Sequence, residues 1–97
     1  MRHTPMRHTP LRDNTEQSRF ELVVDGEVVY ADYARRRGEL AIRYVYAPPR
    51  LRGTGAAGRL MAEIAALARA ETLRIVPLCS YAGAWLRRHG EHRDLLA

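Results

Sequence analysis

Lysine is absent from this 97-residue chain, and all 16 of its lysine-or-arginine positions are arginine. Against 11 acidic residues this leaves a formal charge of +5. An all-arginine complement beside many alanines is the signature of a GC-rich coding sequence. The charge therefore says little about a nucleic-acid partner, and no recognition motif accompanies it. Cysteine occurs once, at Cys79, which excludes an internal disulfide and agrees with a reducing compartment. No apolar run approaches the roughly 20 residues of a membrane span. The N-terminus has no apolar stretch of the signal-peptide kind, so a cytoplasmic location with no membrane partner is expected. Metal ligands are equally scarce. His89 and His92 lie three apart on one helical face without a third ligand, and no metal is expected.

What the chain does contain fits one domain with a single modest core. Residues 1–10 are two copies of Met-Arg-His-Thr-Pro, too short to be a structural repeat. Residues 1–17, including His3 and His8, are polar and proline-bearing, and read as a disordered tail ahead of a domain over 18–97. Phe20, Leu22 and Val24 alternate as in a half-buried strand. Asp25-Gly26 is a hairpin signal, with a return strand from Glu27 to about Ala34. Arg35-Arg36-Arg37-Gly38 reads as a solvated turn. Glu39 to Ala47 is a third strand, with Leu40, Ile42, Tyr44 and Tyr46 expected on one face. Pro48-Pro49 ends it.

A helix is expected from about Thr54 to Ala70, because Ala57, Leu60, Met61, Ile64, Leu67 and Ala68 follow a three-and-four spacing. Gly58 inside it implies close approach of a neighbour. Leu73 to Leu78 then reads as a covered strand, and such a strand–helix–strand unit requires a parallel pair with a right-handed crossover. Ser80 is placed to cap a last helix through Arg88, with Tyr81, Trp85 and Leu86 on its inner side. The order is β-β-β-α-β-α, an α/β (α+β) arrangement of an antiparallel meander with one parallel pair added.

The junction between the third strand and the long helix is the most informative stretch. In Arg50-Leu51-Arg52-Gly53-Thr54-Gly55-Ala56-Ala57-Gly58, Gly53 and Gly55 permit positive φ and leave no Cβ between backbone and ligand. Several N–H groups there should converge before a helix N-terminus, which makes an anion site suited to phosphate. Arg50 and Arg52 add forked cationic donors. As Gly53-x-Gly55-x-x-Gly58 the run matches the dinucleotide fingerprint weakly. Residues 48–52 separate it from the strand, and Pro77-Leu78-Cys79 supplies no acid at the next strand's end. A P-loop is excluded, since no Lys-Ser/Thr pair follows.

Read as Arg50-x-x-Gly53-x-Gly55, the loop resembles the pyrophosphate loop of the GNAT acetyltransferase superfamily. The Pro-Pro-Arg-Leu-Arg-Gly-Thr-Gly run at 48–55, Val-Pro-Leu-Cys-Ser-Tyr at 76–81 and Trp-Leu-Arg-Arg-His-x-Glu-x-x-Asp-Leu at 85–95 are similar to its compact, single-domain, acetyl-CoA-binding branch. The resemblance covers about 18–96. It implies acetyl-CoA as cosubstrate, an amine acceptor of unknown identity, and pantetheine lying between splayed strands, with Pro77 tolerated where the partner strand has diverged. It implies a cofactor-binding set of Tyr46, Ala47, Arg50, Leu51, Arg52, Gly53, Thr54, Gly55 and Ala56. Tyr44 and Tyr46 stand where many branch members carry His and Glu, so a carboxylate base is missing there. Gly90 replaces the proline usual after the Arg-His pair.

Acetyl transfer needs a base, oxyanion donors and an acid for the departing thiolate. Cys79, at a helix N-terminus, is a candidate acetyl carrier or a lining residue of the thioester end; as a lone cysteine it equally fits a small core residue. Tyr81 is the candidate acid, with core packing as the other reading. Three functions are thus in view: an acetyl-CoA-dependent N-acetyltransferase, a CoA-thioester-binding module without turnover, and a basic nucleic-acid-binding domain, the last disfavoured. A monomer or weak homodimer is expected.

Overall fold

The sheet grows from one tight hairpin. A computed structural model describes residues 7–97. In it Asp25 (φ 48°) and Gly26 (φ 83°) both take the left-handed conformation of a two-residue turn, whose twist suits the flanking strands. The turn joins β2 (Arg19–Val24) to β3 (Glu27–Arg36), and β4 (Glu39–Tyr46) returns along the far side of β3. After α1 (Ala56–Ala70), β5 (Arg74–Pro77) adds in parallel to β4. With β1 (Arg12–Asn14) on the opposite edge, the sheet order is β1-β2-β3-β4-β5. α2 (Ser80–Arg88) and a 3-10 segment (Gly90–Leu95) close the chain. The expected order holds, with one additional strand at the start.

That strand corrects the expectation of disorder through residue 17. β1 pairs antiparallel with β2, and upstream of it Thr9 N–H donates to Val23 O at 2.9 Å. The attraction is lateral rather than apolar. Asp13 accepts from the Tyr33 phenol and from Arg35 at 3.0 Å, while Leu11 packs on the core. Burial, and then the hydrogen bond to Asp13, push the Tyr33 phenol above its ordinary value. Arg35 also reaches Glu71 at 2.9 Å, so it is a structural clasp and not part of a solvated turn. The first copy of the pentapeptide, with His3, lies outside the described residues.

Deleting residues 1–15 should therefore destabilise the domain. Losing the Leu11 contact and the two Asp13 hydrogen bonds is worth about 2 kcal/mol, or roughly 10 °C in melting temperature for a domain of this size. An unchanged melting temperature in a thermal scan would show that β1 contributes nothing.

The core lies between the sheet and α1. Phe20, Leu22, Val24, Val29, Ala31, Leu40, Ile42 and Ile75 meet Leu60, Met61, Ile64, Ala65 and Ala68, all fully buried. The helix begins at Ala56 rather than Thr54, because Gly55 at φ 92° is its N-cap and cannot continue the turn backwards. The buried stripe accordingly includes Ala56 and Ala65, and not Ala57 or Leu67.

β4 departs from simple alternation. Asp32 pairs with Tyr44 and Tyr33 with Ile42, leaving Arg43 as an extra residue in a β-bulge. Paired residues share a face of the sheet, so Leu40 and Ile42 face the helix, but beyond the bulge it is Val45 that does so. Tyr44 and Tyr46 turn to the other face, opposite Asp32 and Tyr30. This corrects the expectation that Leu40, Ile42, Tyr44 and Tyr46 share one face; an inserted residue reverses the period-two pattern.

Candidate functional site

β4 outruns its parallel partner. Pairing with β5 spans Glu39–Ile42 against Arg74–Pro77, and its last link is Leu78 N–H to Ile42 O at 2.9 Å. Pro77 has no N–H to offer, and the chain turns at Cys79 into α2. From Arg43 to Tyr46, β4 is bonded only on its β3 side. The two strands part there, and a cleft of about 560 Å³ opens along this end of β4, bounded by the loop that follows it, the start of α1 and Tyr81.

One end of this cleft is the glycine loop. Pro49–Leu51 forms a single 3-10 turn that buries Leu51, and Thr54 N–H returns to Leu51 O at 3.2 Å. The Thr54 hydroxyl donates to the same carbonyl and accepts the Ala56 N–H at 3.3 Å. Thr54 thus braces the loop from behind. Gly53 (φ 78°) and Gly55 (φ 92°) are both left-handed, and a Cβ at either would meet nothing within 4 Å. Conformation, not crowding by neighbours, calls for glycine at these positions. Among the described residues, the amides of Gly53, Gly55, Ala57 and Gly58 have no acceptor. Four unpaired donors beside a helix N-terminus form an anion cradle.

Arg52 and Arg50 have different fates. Arg52 donates from Nε to Ala47 O at 3.0 Å and lies 5.8 Å from the centre of the Tyr46 ring, with its terminal nitrogens free among the described residues. It lines the cleft. Arg50 points away, its Nε 2.9 Å from Glu27 Oε2. That contact is an ion pair by distance but too bent for a hydrogen bond, since Glu27 Oε2 has no hydrogen-bond partner.

The other end is formed by α2. Tyr81 lines the cleft beside Gly58. Gly58 is where α1 and α2 touch, since a Cβ there would lie 3.4 Å from Trp85 Nε1 and 3.8 Å from the Tyr81 hydroxyl. This is the close approach expected of that glycine. Burial pushes the Tyr81 phenol above its ordinary value; Arg88 opposes this and Cys79 adds to it. Cys79 is itself the N-cap of α2, its Sγ accepting Ala82 N–H at 3.4 Å. Ser80, expected as the cap, is the first helical residue. Trp85 is held from behind by His89, stacked at 4.0 Å, and by His92 at 5.5 Å.

Of the residues singled out from sequence, Tyr46, Ala47, Leu51, Arg52, Gly53, Gly55, Ala56 and Tyr81 line one cleft. Thr54 supports it without lining it, and Arg50 and Cys79 are turned elsewhere. Tyr44, Val45, Ala57 and Gly58 also line it and were not assigned to the site. Ala57 was discoverable, because the second residue of a helix always presents a free amide. Val45 was hidden by the bulge.

An open-ended sheet, a cradle of amides at the strand-to-helix turn and a phenol beside it define an α+β protein of the N-acetyltransferase type. Residues 19–95 match the family model described as GCN5-related N-acetyl-transferase. The chain belongs to that family, and acyl transfer is the class of activity this membership brings. No curated protein matches the chain.

Proposed function

We propose that the chain is an acetyl-CoA-dependent N-acetyltransferase whose cleft holds the pantetheine arm and whose glycine loop holds the pyrophosphate. The observation that carries this reading is the set of four unpaired amides at Gly53, Gly55, Ala57 and Gly58, flanked by the free guanidinium end of Arg52. Both features suit phosphate oxygens. The exposed backbone of β4 beyond Arg43 supplies donors and acceptors for the amide groups of pantetheine, as an added strand would. Tyr81 faces the region where the thioester would lie. As the amine nitrogen bonds to the acetyl carbon and the C–S bond breaks, the phenol gives its proton to the departing sulfur, and the proton that the amine nitrogen loses returns through water to the phenolate. Cys79 is assigned to holding the first turn of α2, and so Tyr81, in place.

The second reading, a CoA-thioester-binding module without turnover, is favoured by one fact: among the described residues no carboxylate lines the cleft. Under both readings we take the partners to be acetyl-CoA and, for the enzyme, a small amine, with no nucleic acid, in the cytoplasm, as a monomer or weak homodimer.

Calorimetric titration with acetyl-CoA tests the phosphate grip. Arg52→Ala should weaken binding by about 1.5–3 kcal/mol, the range for a hydrogen bond to a charged group. Arg50→Ala should cost under about 1 kcal/mol, as expected for an exposed ion pair that faces away. Equal losses in the two variants would mean that Arg50 swings into the site. No loss in either would remove the phosphate reading.

A further inference from the structure

A second cavity of about 480 Å³ adjoins the cleft, lined among others by Ser18, Arg19, Asp32, Arg43 and Tyr44. Tyr44 belongs to both cavities, so a molecule seated in the second has one ring between it and the diverging strands. Nothing in the chemistry described so far uses this space.

Its charges are arranged unequally. Arg19 is committed on two sides, with Nε 3.2 Å from Asp32 Oδ1 and its guanidinium 3.8 Å above the Tyr30 ring. Asp32 spends only Oδ1 on that contact, and its Oδ2 has no hydrogen-bond partner among the described residues. Arg43 has no ion-pair partner among the described residues. As the inserted residue of the bulge, it is held beside Tyr44. The cavity therefore presents one free carboxylate oxygen and one uncommitted guanidinium. Asp32 sits directly across the strand pair from Tyr44, at the edge of the cleft.

We propose that this cavity is the acceptor subsite and that it takes a zwitterion: a small molecule with an amine and a carboxylate a few bonds apart, as in an α-amino acid. Resting on the acetyltransferase reading, the inference specifies the substrate class. Asp32 Oδ2 accepts from the ammonium and keeps it beside the cleft. Arg43 forks onto the carboxylate, a planar match that selects for that group. A polyamine brings a second positive charge toward Arg43, and like-charge juxtaposition rejects it, while a protein lysine has no carboxylate and leaves Arg43 unpaired.

Two titrations test this, one for each level of the argument. Acetyl-CoA binding is followed by calorimetry. Separately, amide resonances of Ser18, Asp32 and Tyr44 are followed by NMR as L-phenylalanine or L-phenylalaninamide is added to wild type and to Arg43→Gln. The acid should shift these resonances at a half-saturation at least tenfold below that of the amide, and Arg43→Gln should abolish the difference while leaving acetyl-CoA affinity unchanged. Equal responses to acid and amide, or none to either, overturn the zwitterion subsite even if acetyl-CoA binds. Selective binding of the acid without acetyl-CoA binding sustains the subsite and overturns the acetyltransferase reading instead.

Discussion

Gly55→Val should lower acetyl-CoA affinity by about 100-fold or more while the protein remains folded. The two effects of the change separate cleanly. A β-branched side chain at φ 92° is strained by about 1–3 kcal/mol, which a domain with so continuous a core can absorb. Relief of that strain rotates the peptide planes on either side, which carry the unpaired amide of Gly55 and the amide of Ala56 that the Thr54 hydroxyl anchors. Misdirecting the Gly55 donor to a charged phosphate costs about 1.5–3 kcal/mol, and loosening the Thr54 brace disturbs the donors beside it. The new side chain would stand in open space within the cradle, since nothing in the protein lies within 4 Å of its Cβ. Calorimetry beside a thermal scan reads both quantities. A variant that melts only a few degrees lower and binds acetyl-CoA normally would show that the loop is a turn and not a cradle.

Tyr81→Phe should reduce the turnover number by about 10²–10³-fold, within the usual range for losing a general acid, with acetyl-CoA affinity nearly unchanged. The ring still packs and only the proton is lost. Because burial raises the Tyr81 phenol above its ordinary value near 10, the group remains protonated through neutral pH. Wild-type turnover should therefore hold as pH rises toward that value and fall only as pH passes through the raised one. The phenylalanine variant should lack this limb. Stability carries the same sign: burial disfavours phenolate, so the contribution is intact below pH 10 and is lost as pH rises through the folded-state value. Cys79 supplies the control. Cys79→Ser retains an N-cap acceptor and should retain turnover, whereas an acetyl carrier would lose it. Stopped-time assays on the three proteins discriminate the roles, and full activity in Tyr81→Phe would remove the phenol from the reaction.

The sequence made the loop legible because glycine at 53 and 55 has few other uses at a strand-to-helix turn, and because the amides there follow from helix geometry alone. The parallel pair followed from chain length between strands. Three features were illegible for physical reasons. β1 has no apolar alternation, and its order comes from Asp13 meeting Tyr33 and Arg35, residues more than 15 positions away. The direction of Arg50 depends on Glu27, across the sheet at the start of β3. The bulge at Arg43 has no local signature, since arginine is neither the glycine nor the proline that usually marks one, yet it decides which way two tyrosines face.

That bulge also gives the strand two independent tenants. Ahead of Arg43, β4 carries residues whose only duty is to fill the interior, and any change there is judged by melting temperature. Behind it, Tyr44 and Tyr46 hang from the same strand but line the cleft on the other face, outside the interior. Under the proposed function, a lineage can thus alter what the protein recognises at positions 44 and 46 without reopening the question of whether it folds. Deleting the one residue between the two halves would fuse these accounts, turning both rings toward α1 and setting recognition against cohesion in every later substitution.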